Sequence, residues 1–342
     1  MEILQKEQYY EYEEFVKNHR NGEFTQSKQW QKVKSNWGFE AIVSRDETGA
    51  IKGACGVLIQ KMPIIGTSFL YCPRGPICDF HDIDTLIDIK TGLDELAKSY
   101  KAQSVKLDPY VSVNDTEFIE TMEKMGFKRF YGPEGFETIQ ARFNYQLPLA
   151  GKTEDEVMAG LTQKTRYNVR YAMKHGVTIK VGSKADLGEF MRIYAVTGER
   201  DGFNIRPKAY LERMLDALED HVRLYLGYYE GNVVCGAITT NYAGKCSYVY
   251  GASDNAFRQY MPNYLMQWEM IKWAIETGCY VYDFQGIAGD IENEENPMYG
   301  LYRFKRGFGG EVVELAGEFD YVYKPVVQKL VNTALEIKRK KH

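Results

Sequence analysis

The order of apparent elements repeats within the chain, and this repeat constrains the fold more than any single stretch does. "IKGACGVLI" matches "VVCGAITTN", setting Gly53 and Ala54 against Gly236 and Ala237. "SFLYCPRG" matches "SYVYGASD", with Tyr71 against Tyr250, and "SVKLDP" matches "YVYDFQ", with Asp108 against Asp283. Each half reads as helix, hairpin, strand, helix, strand, helix, strand. In the first half the hairpin turns at Thr48 and Gly49, and Leu86, Ile89, Leu93, Leu96, Ala97 and Tyr100 make a helical stripe. In the second half a helix over about 263–277 carries Leu265, Trp268, Ile271 and Ile275 inward. Strands outrun helices and include hairpins, which predicts mixed α+β sheets rather than a doubly wound one. The expected organisation is a pseudo-twofold pair of domains, 1–150 and 151–325. A basic helical tail, 326–342, follows and is either solvated or packed back on the first domain.

A net charge of −4 over 342 residues argues against a broad nucleic-acid-coating surface but permits a local basic patch. No run of 18 apolar residues occurs, and the acidic opening "MEILQKEQYYEYEEF" has no signal-peptide core, so a cytoplasmic protein is expected. The six cysteines form no C-x-x-C pair and the five histidines no H-x-x-x-H. This pattern predicts free thiols, no metal site and no histidine-based nucleophilic triad.

"NPMYGLYRFKRGFGG", residues 296–310, reads as a helix that starts at Asn296 and Pro297 and stops at Gly307, Gly309 and Gly310. Met298, Leu301, Tyr302, Phe304 and Phe308 share one apolar face, and Lys305 falls near its middle. Arg303 and Arg306 point elsewhere. Lys305 either snorkels to water or is held in a cleft to meet an anion or a developing oxyanion.

The chain resembles the Fem family of non-ribosomal peptidyltransferases. "FTQSKQW", "FLYCPRGP", "VKLDP", "KTRYNVRYAMKHGV", "RDGFNIRPKAYLERM", "YVYGAS", "PNYLMQWEMIKWA", "YDFQGI", "GLYRFKRGFGGE" and "GEFDYV" carry the resemblance, in order, over nearly the whole chain. It implies two tandem GNAT-like (acetyltransferase-like) domains, in agreement with the repeat. It also implies transfer of an amino acid from aminoacyl-tRNA to the stem peptide of a peptidoglycan precursor, either UDP-MurNAc-pentapeptide or lipid II. Aminoacyl-tRNA would be a co-substrate and no cofactor is expected. With no heptad insertion, the chain is similar to the short, FemX-like form, for which a monomer is expected.

By resemblance Lys305 is the catalytic lysine, stabilising the oxyanion formed when the stem-peptide amine attacks the ester. Asp108, at a strand end before Pro109, is a candidate general base, the alternative being that it hydrogen-bonds loop N–H groups. Arg206, in a loop stiffened by Pro207, would fork two phosphate oxygens of the precursor. The resemblance adds Asn204 and Tyr210 on the same substrate, Lys34 on a phosphate and Tyr250 closing over sugar or peptide. Lys34 reads otherwise as a solvated helix charge, and Tyr250 as a buried strand tyrosine. Arg166, Arg170 and Lys174 recur every four residues as one basic face. With Arg303 and Arg306 they are candidates for tRNA phosphates.

Two rival readings remain. An acyl-CoA-dependent GNAT enzyme needs a (Q/R)-x-x-G-x-(G/A) loop. "FKRGFG" has Phe304 at its first position, and "QGIAGD" has Ala288 where glycine is needed. A silent precursor-binding module is the other.

Overall fold

The computed structural model describes residues 1–132 and 138–339. From the N-terminus come β1 (Glu2–Ile3), α1 (Tyr9–Asn18), α2 (Trp30–Val33), β2 (Gly38–Arg45), β3 (Ile51–Met62), β4 (Thr67–Cys72), β5 (Ile77–Cys78), α3 (Ile83–Ser99), β6 (Ala102–Leu107), α4 (Thr116–Lys124) and β7 (Lys128–Phe130). Next are β8 (Phe143–Pro148), α5 (Glu154–Gly160), α6 (Gln163–Lys174), β9 (Thr178–Gly182), α7 (Leu187–Asp201), α8 (Lys208–Leu218), β10 (Val222–Tyr229), β11 (Asn232–Tyr242), β12 (Lys245–Ser253), α9 (Pro262–Glu276), β13 (Val281–Gly286), α10 (Tyr299–Arg306) and β14 (Glu311–Glu314). β15 (Glu318–Val322) and α11 (Pro325–Arg339) follow.

Among the described residues one sheet runs β1-β2-β3-β4-β6-β15-β7, with β5 on β3, and the other runs β9-β10-β11-β12-β13-β8-β14. From β1 to β7 and from β9 to β8 neighbours pair antiparallel except at matching places: β4 with β6, and β12 with β13, are parallel. The sequence repeat is therefore a repeat of sheet topology, and the fold is a tandem α+β arrangement of GNAT-like units.

The domain boundaries differ from those expected. Among the described residues the chain divides into one unit of 1–132, 138–142 and 314–339 and another of 143–313. β8, expected in the first domain, pairs along β13 from Val281–Pro148 to Gly286–Asn144. β15, expected in the second, pairs along β6 from Phe319–Leu107 to Val322–Ser104. Each strand fills the hydrogen-bonding edge that the parallel pair leaves open, and buries its apolar residues there. Phe143, Tyr145 and Leu147 enter the second core, and Phe319 enters the first.

Local signals explain the helices that carry these sheets. Asp82 caps α3 by accepting from the Thr85 N–H, and the stripe Leu86, Ile89, Leu93, Leu96 and Ala97 is buried, as expected. Phe118 and Phe319 meet edge to face at 5.7 Å in the first core; truncating such a ring typically costs about 3–5 kcal/mol. All six cysteines are buried free thiols.

Candidate active site

α10 begins two residues later than Asn296 and Pro297 suggest. Asn296 instead closes the preceding turn, its Oδ1 accepting from the Met298 N–H at 2.9 Å. The predicted face is otherwise the one that packs. Tyr302 and Phe308 are buried three residues either side of Lys305, so Lys305 is buried too, at 3 % exposure. Phe308 meets Phe284 of β13 at 5.2 Å, which fixes α10 against that strand. Arg303 and Arg306 are exposed.

The Lys305 Nζ donates to the Gly286 carbonyl at 2.7 Å and the Gln285 carbonyl at 3.1 Å. Those carbonyls are turned toward it by an irregularity in β13. The register on β8 shifts between Asp283 and Gly286, and Gln285 has φ of 62°, in the left-handed region. Asp283 holds the kink: its Oδ1 accepts from the Gln285 N–H at 2.6 Å, and its Oδ2 accepts from Gln146 Nε2 at 3.1 Å. Burial pushes the Lys305 amine down to about 7, while the Asp283 carboxylate opposes that shift. An ammonium here has two N–H groups engaged and a third left to meet an oxyanion. Asp283, which the repeat marks only as the match of Asp108, is the positioning residue. Its signal was an aspartate two residues ahead of a Gln-Gly break in a strand.

Elsewhere in this unit Arg206, Tyr210 and Tyr250 lie together. Arg206 leaves the loop before α8 exposed, with its guanidinium 5.3 Å from the Tyr210 ring centre. The Tyr250 phenol, on β12, lies beside both the Arg206 guanidinium and the Tyr210 phenol, close enough to bear on the charge of each. Burial raises the Tyr210 phenol, and Tyr250 beside it adds to the shift. Tyr194 of α7, unforeseen from sequence, joins the cluster with its ring 6.1 Å from that of Tyr250. Burial pushes its phenol up to about 12. Asn204 is exposed in the same loop.

The expected basic face of α6 is divided. Arg166 turns back on the end of α5, where its Nη1 donates to the Ala159 carbonyl at 2.6 Å and to that of Leu161. It is thereby a C-terminal cap. Arg170 and Lys174 are exposed on later turns. Arg303 and Arg306 instead share a concavity of about 290 Å³ with Lys164 and with Thr162, which caps α6. Lys164 was not among the residues singled out from sequence.

Asp108 and Lys34 belong to the other unit. Asp108 is 2 % exposed. Its Oδ2 accepts from the Tyr71 hydroxyl and its Oδ1 from the Arg74 N–H, both at 2.6 Å. Arg74 has φ of 57°, and its Nη2 donates to the Ala141 carbonyl at 2.9 Å. This is the physical sense of the "PRGP" stretch: a left-handed residue pinned by a buried carboxylate. Both carboxylate oxygens are engaged, so the geometry gives Asp108 the loop-holding role rather than that of a free base. Lys34 follows α2, half-buried, with its Nζ 5.7 Å from the Trp30 ring centre.

Burial pushes the Asp108 carboxyl up to about 6, against the opposing pull of Arg74 and Tyr71. The folded protein therefore holds this proton more tightly than the unfolded chain between pH 3.8 and about 6, and the Asp108 contribution falls as pH rises through that window. Asp108→Asn is expected to lower stability by about 1–3 kcal/mol at neutral pH. Thermal melts should show the gap between wild type and variant wider near pH 4 than near pH 7. A gap that grows with pH would contradict this account.

Two sheets of one repeated order, one of them presenting a buried lysine to a kinked strand, define a tandem GNAT-like transferase. The chain belongs to the FemAB family, which it matches over residues 6–233 and 229–336. It is 29% identical to a lipid II:glycine glycyltransferase of Staphylococcus epidermidis, with 94% of this chain and 93% of that protein covered. The crystal structure of FemX superposes with a TM-score of 0.89 at 27% identity, covering 97% of this chain and 100% of FemX. A tandem GNAT protein from the clavulanic acid biosynthesis pathway shares the fold at a TM-score of 0.56 and 9% identity, with 94% and 97% covered.

Proposed function

We propose that the chain transfers an amino acid from aminoacyl-tRNA to an amine of the stem peptide of a peptidoglycan precursor. The observation that carries this reading is Lys305: a buried lysine amine of α10 facing β13, with two N–H groups held by main-chain carbonyls. The acceptor amine attacks the ester carbonyl of the charged tRNA. A C–N bond forms, the ester C–O bond breaks, the terminal ribose oxygen leaves with a proton, and the amine loses one. Lys305 stabilises the intermediate oxyanion. Arg206 with Tyr210 and Tyr250 grips the precursor's phosphates, and Arg303, Arg306 and Lys164 face the tRNA backbone. No cofactor takes part. The named activity of the Staphylococcus relative makes glycine and lipid II the first donor and acceptor to test.

The test is to incubate the protein with single charged tRNAs and either lipid II or a UDP-linked muropeptide, then weigh the products. A mass gain of one aminoacyl residue, dependent on one charged tRNA, supports the proposal. No product with any pair, or consumption of acetyl-CoA with a small amine instead, overturns it. Donor kcat/KM should fall steeply as salt rises, and the Arg303→Ala, Arg306→Ala double variant should reduce that slope. A salt-independent donor kcat/KM would remove the phosphate-contact role.

A further inference from the structure

The first unit presents apolar side chains to solvent at one end of its sheet. Ile64 and Ile65 form the tip of the β3–β4 hairpin, at 102% and 46% exposure. Val326 and Leu330, one turn apart on α11, are 75% and 64% exposed, whereas Val331 of the same helix is buried.

Strand pairing brings these groups to the same end. Met62 pairs with Thr67 across the hairpin, Ser68 pairs with Ala102 at the start of β6, and Val322 pairs with Ser104 at the finish of β15. The Lys101 carbonyl then accepts from Thr67 Oγ1 and from Lys324 Nζ, each at 2.7 Å. Hairpin base, strand start and helix entry are thus tied to one peptide group.

That end is basic in a chain of net charge −4. Stretches 60–66, 98–104 and 323–333 contain Lys61, Lys98, Lys101, Lys324 and Lys329 and no aspartate or glutamate. The nearby Asp94 is engaged by Lys90 and by the Tyr323 hydroxyl. In sequence, Lys338, Arg339, Lys340 and Lys341 follow. Among the described residues no helix is long and apolar enough to cross a membrane.

We propose that this end of the first unit docks peripherally on an anionic lipid surface. The isoleucine tip and the outer face of α11 enter the headgroup layer while the lysines meet lipid phosphates. Exposed apolar residues with lysines in the same and neighbouring stretches match such a surface in both respects; a protein partner would have to supply acidic groups around an apolar pocket. The inference goes beyond the transfer reaction, and its test reads lipid binding rather than turnover, so either can fail alone.

The test is co-sedimentation of the full chain with vesicles of phosphatidylglycerol and phosphatidylcholine, or of phosphatidylcholine alone. Partitioning is expected onto the anionic vesicles and should weaken with salt. Ile64→Asn should lower it about tenfold with unchanged melting, since Ile64 has no buried surface to lose. Lys61→Gln with Lys329→Gln should lower it by a similar factor. Equal partitioning onto both vesicle types, no binding at low salt, or an undiminished isoleucine variant overturns the proposal. So does light scattering that shows the isoleucines driving self-association without vesicle binding.

Discussion

Lys305→Met leaves a folded protein whose transfer rate is lower by about 10²–10³, the usual consequence of removing one preorganised oxyanion donor. Methionine keeps the apolar stem between Tyr302 and Phe308. It strands the carbonyls of Gln285 and Gly286, at a cost of about 1–3 kcal/mol, but it also removes an amine that is expensive to bury charged. The two effects oppose each other, so melting should move little while turnover collapses. Lys305→Arg should fare no better, because a planar fork does not fit a site shaped for a point charge.

The pH dependence gives a second reading of the same residue. Burial holds the Lys305 amine near 7, below its ordinary 10.5. If the ammonium does the work, kcat/KM should fall as pH rises through about 7, and the variant should lack that limb. Stability should move the opposite way. Between about 7 and 10.5 the unfolded chain binds the proton that the native amine has released, so wild-type stability rises with pH across that window. Wild-type turnover in the variant, or a rate limb of opposite sign, would remove Lys305 from the role assigned to it.

Arg206→Ala is expected to raise the acceptor KM about 10- to 100-fold, in line with losing hydrogen bonds from a charged group, while leaving the donor KM close to wild type. Tyr210 beneath the guanidinium and Tyr250 beside it fix the fork before substrate arrives. The effect should therefore be one of binding rather than of turnover. Tyr250→Phe should reproduce part of it, since the ring stays and only the hydroxyl beside Arg206 is lost. Steady-state kinetics with each substrate varied in turn checks both; an unchanged acceptor KM would release Arg206 from phosphate recognition.

Much of this was legible in the chain because it rests on short-range spacing. The face of α10, the place of Lys305 on it and the exposure of Arg303 and Arg306 follow from a helical period that needs no knowledge of partners. The gathering of Arg206, Tyr210 and Tyr250 was available only by resemblance, since β12 and α8 are distant in sequence. The role of Asp283 was not legible because its work is on the backbone: it shapes a kink, and a kink has no periodicity. Arg166 kept its predicted place on the helix, but which carbonyls lie within its reach is a matter of tertiary contact. The expected domain boundaries failed for a related reason. The alternation in Phe143, Tyr145 and Leu147 says that one face is buried but does not say in which sheet.

That last point bears on how the protein is made. β6 acquires its outer neighbour only when the chain has been synthesised through Val322, because Phe319 pairs with Leu107. Until then a nascent chain carries a bare strand edge on its first sheet, an invitation to wrong pairing that chaperones or fast synthesis must cover. The first unit cannot be expressed without the segment that carries β15 and escape such an edge, whereas 143–313 carries the strands of its own sheet.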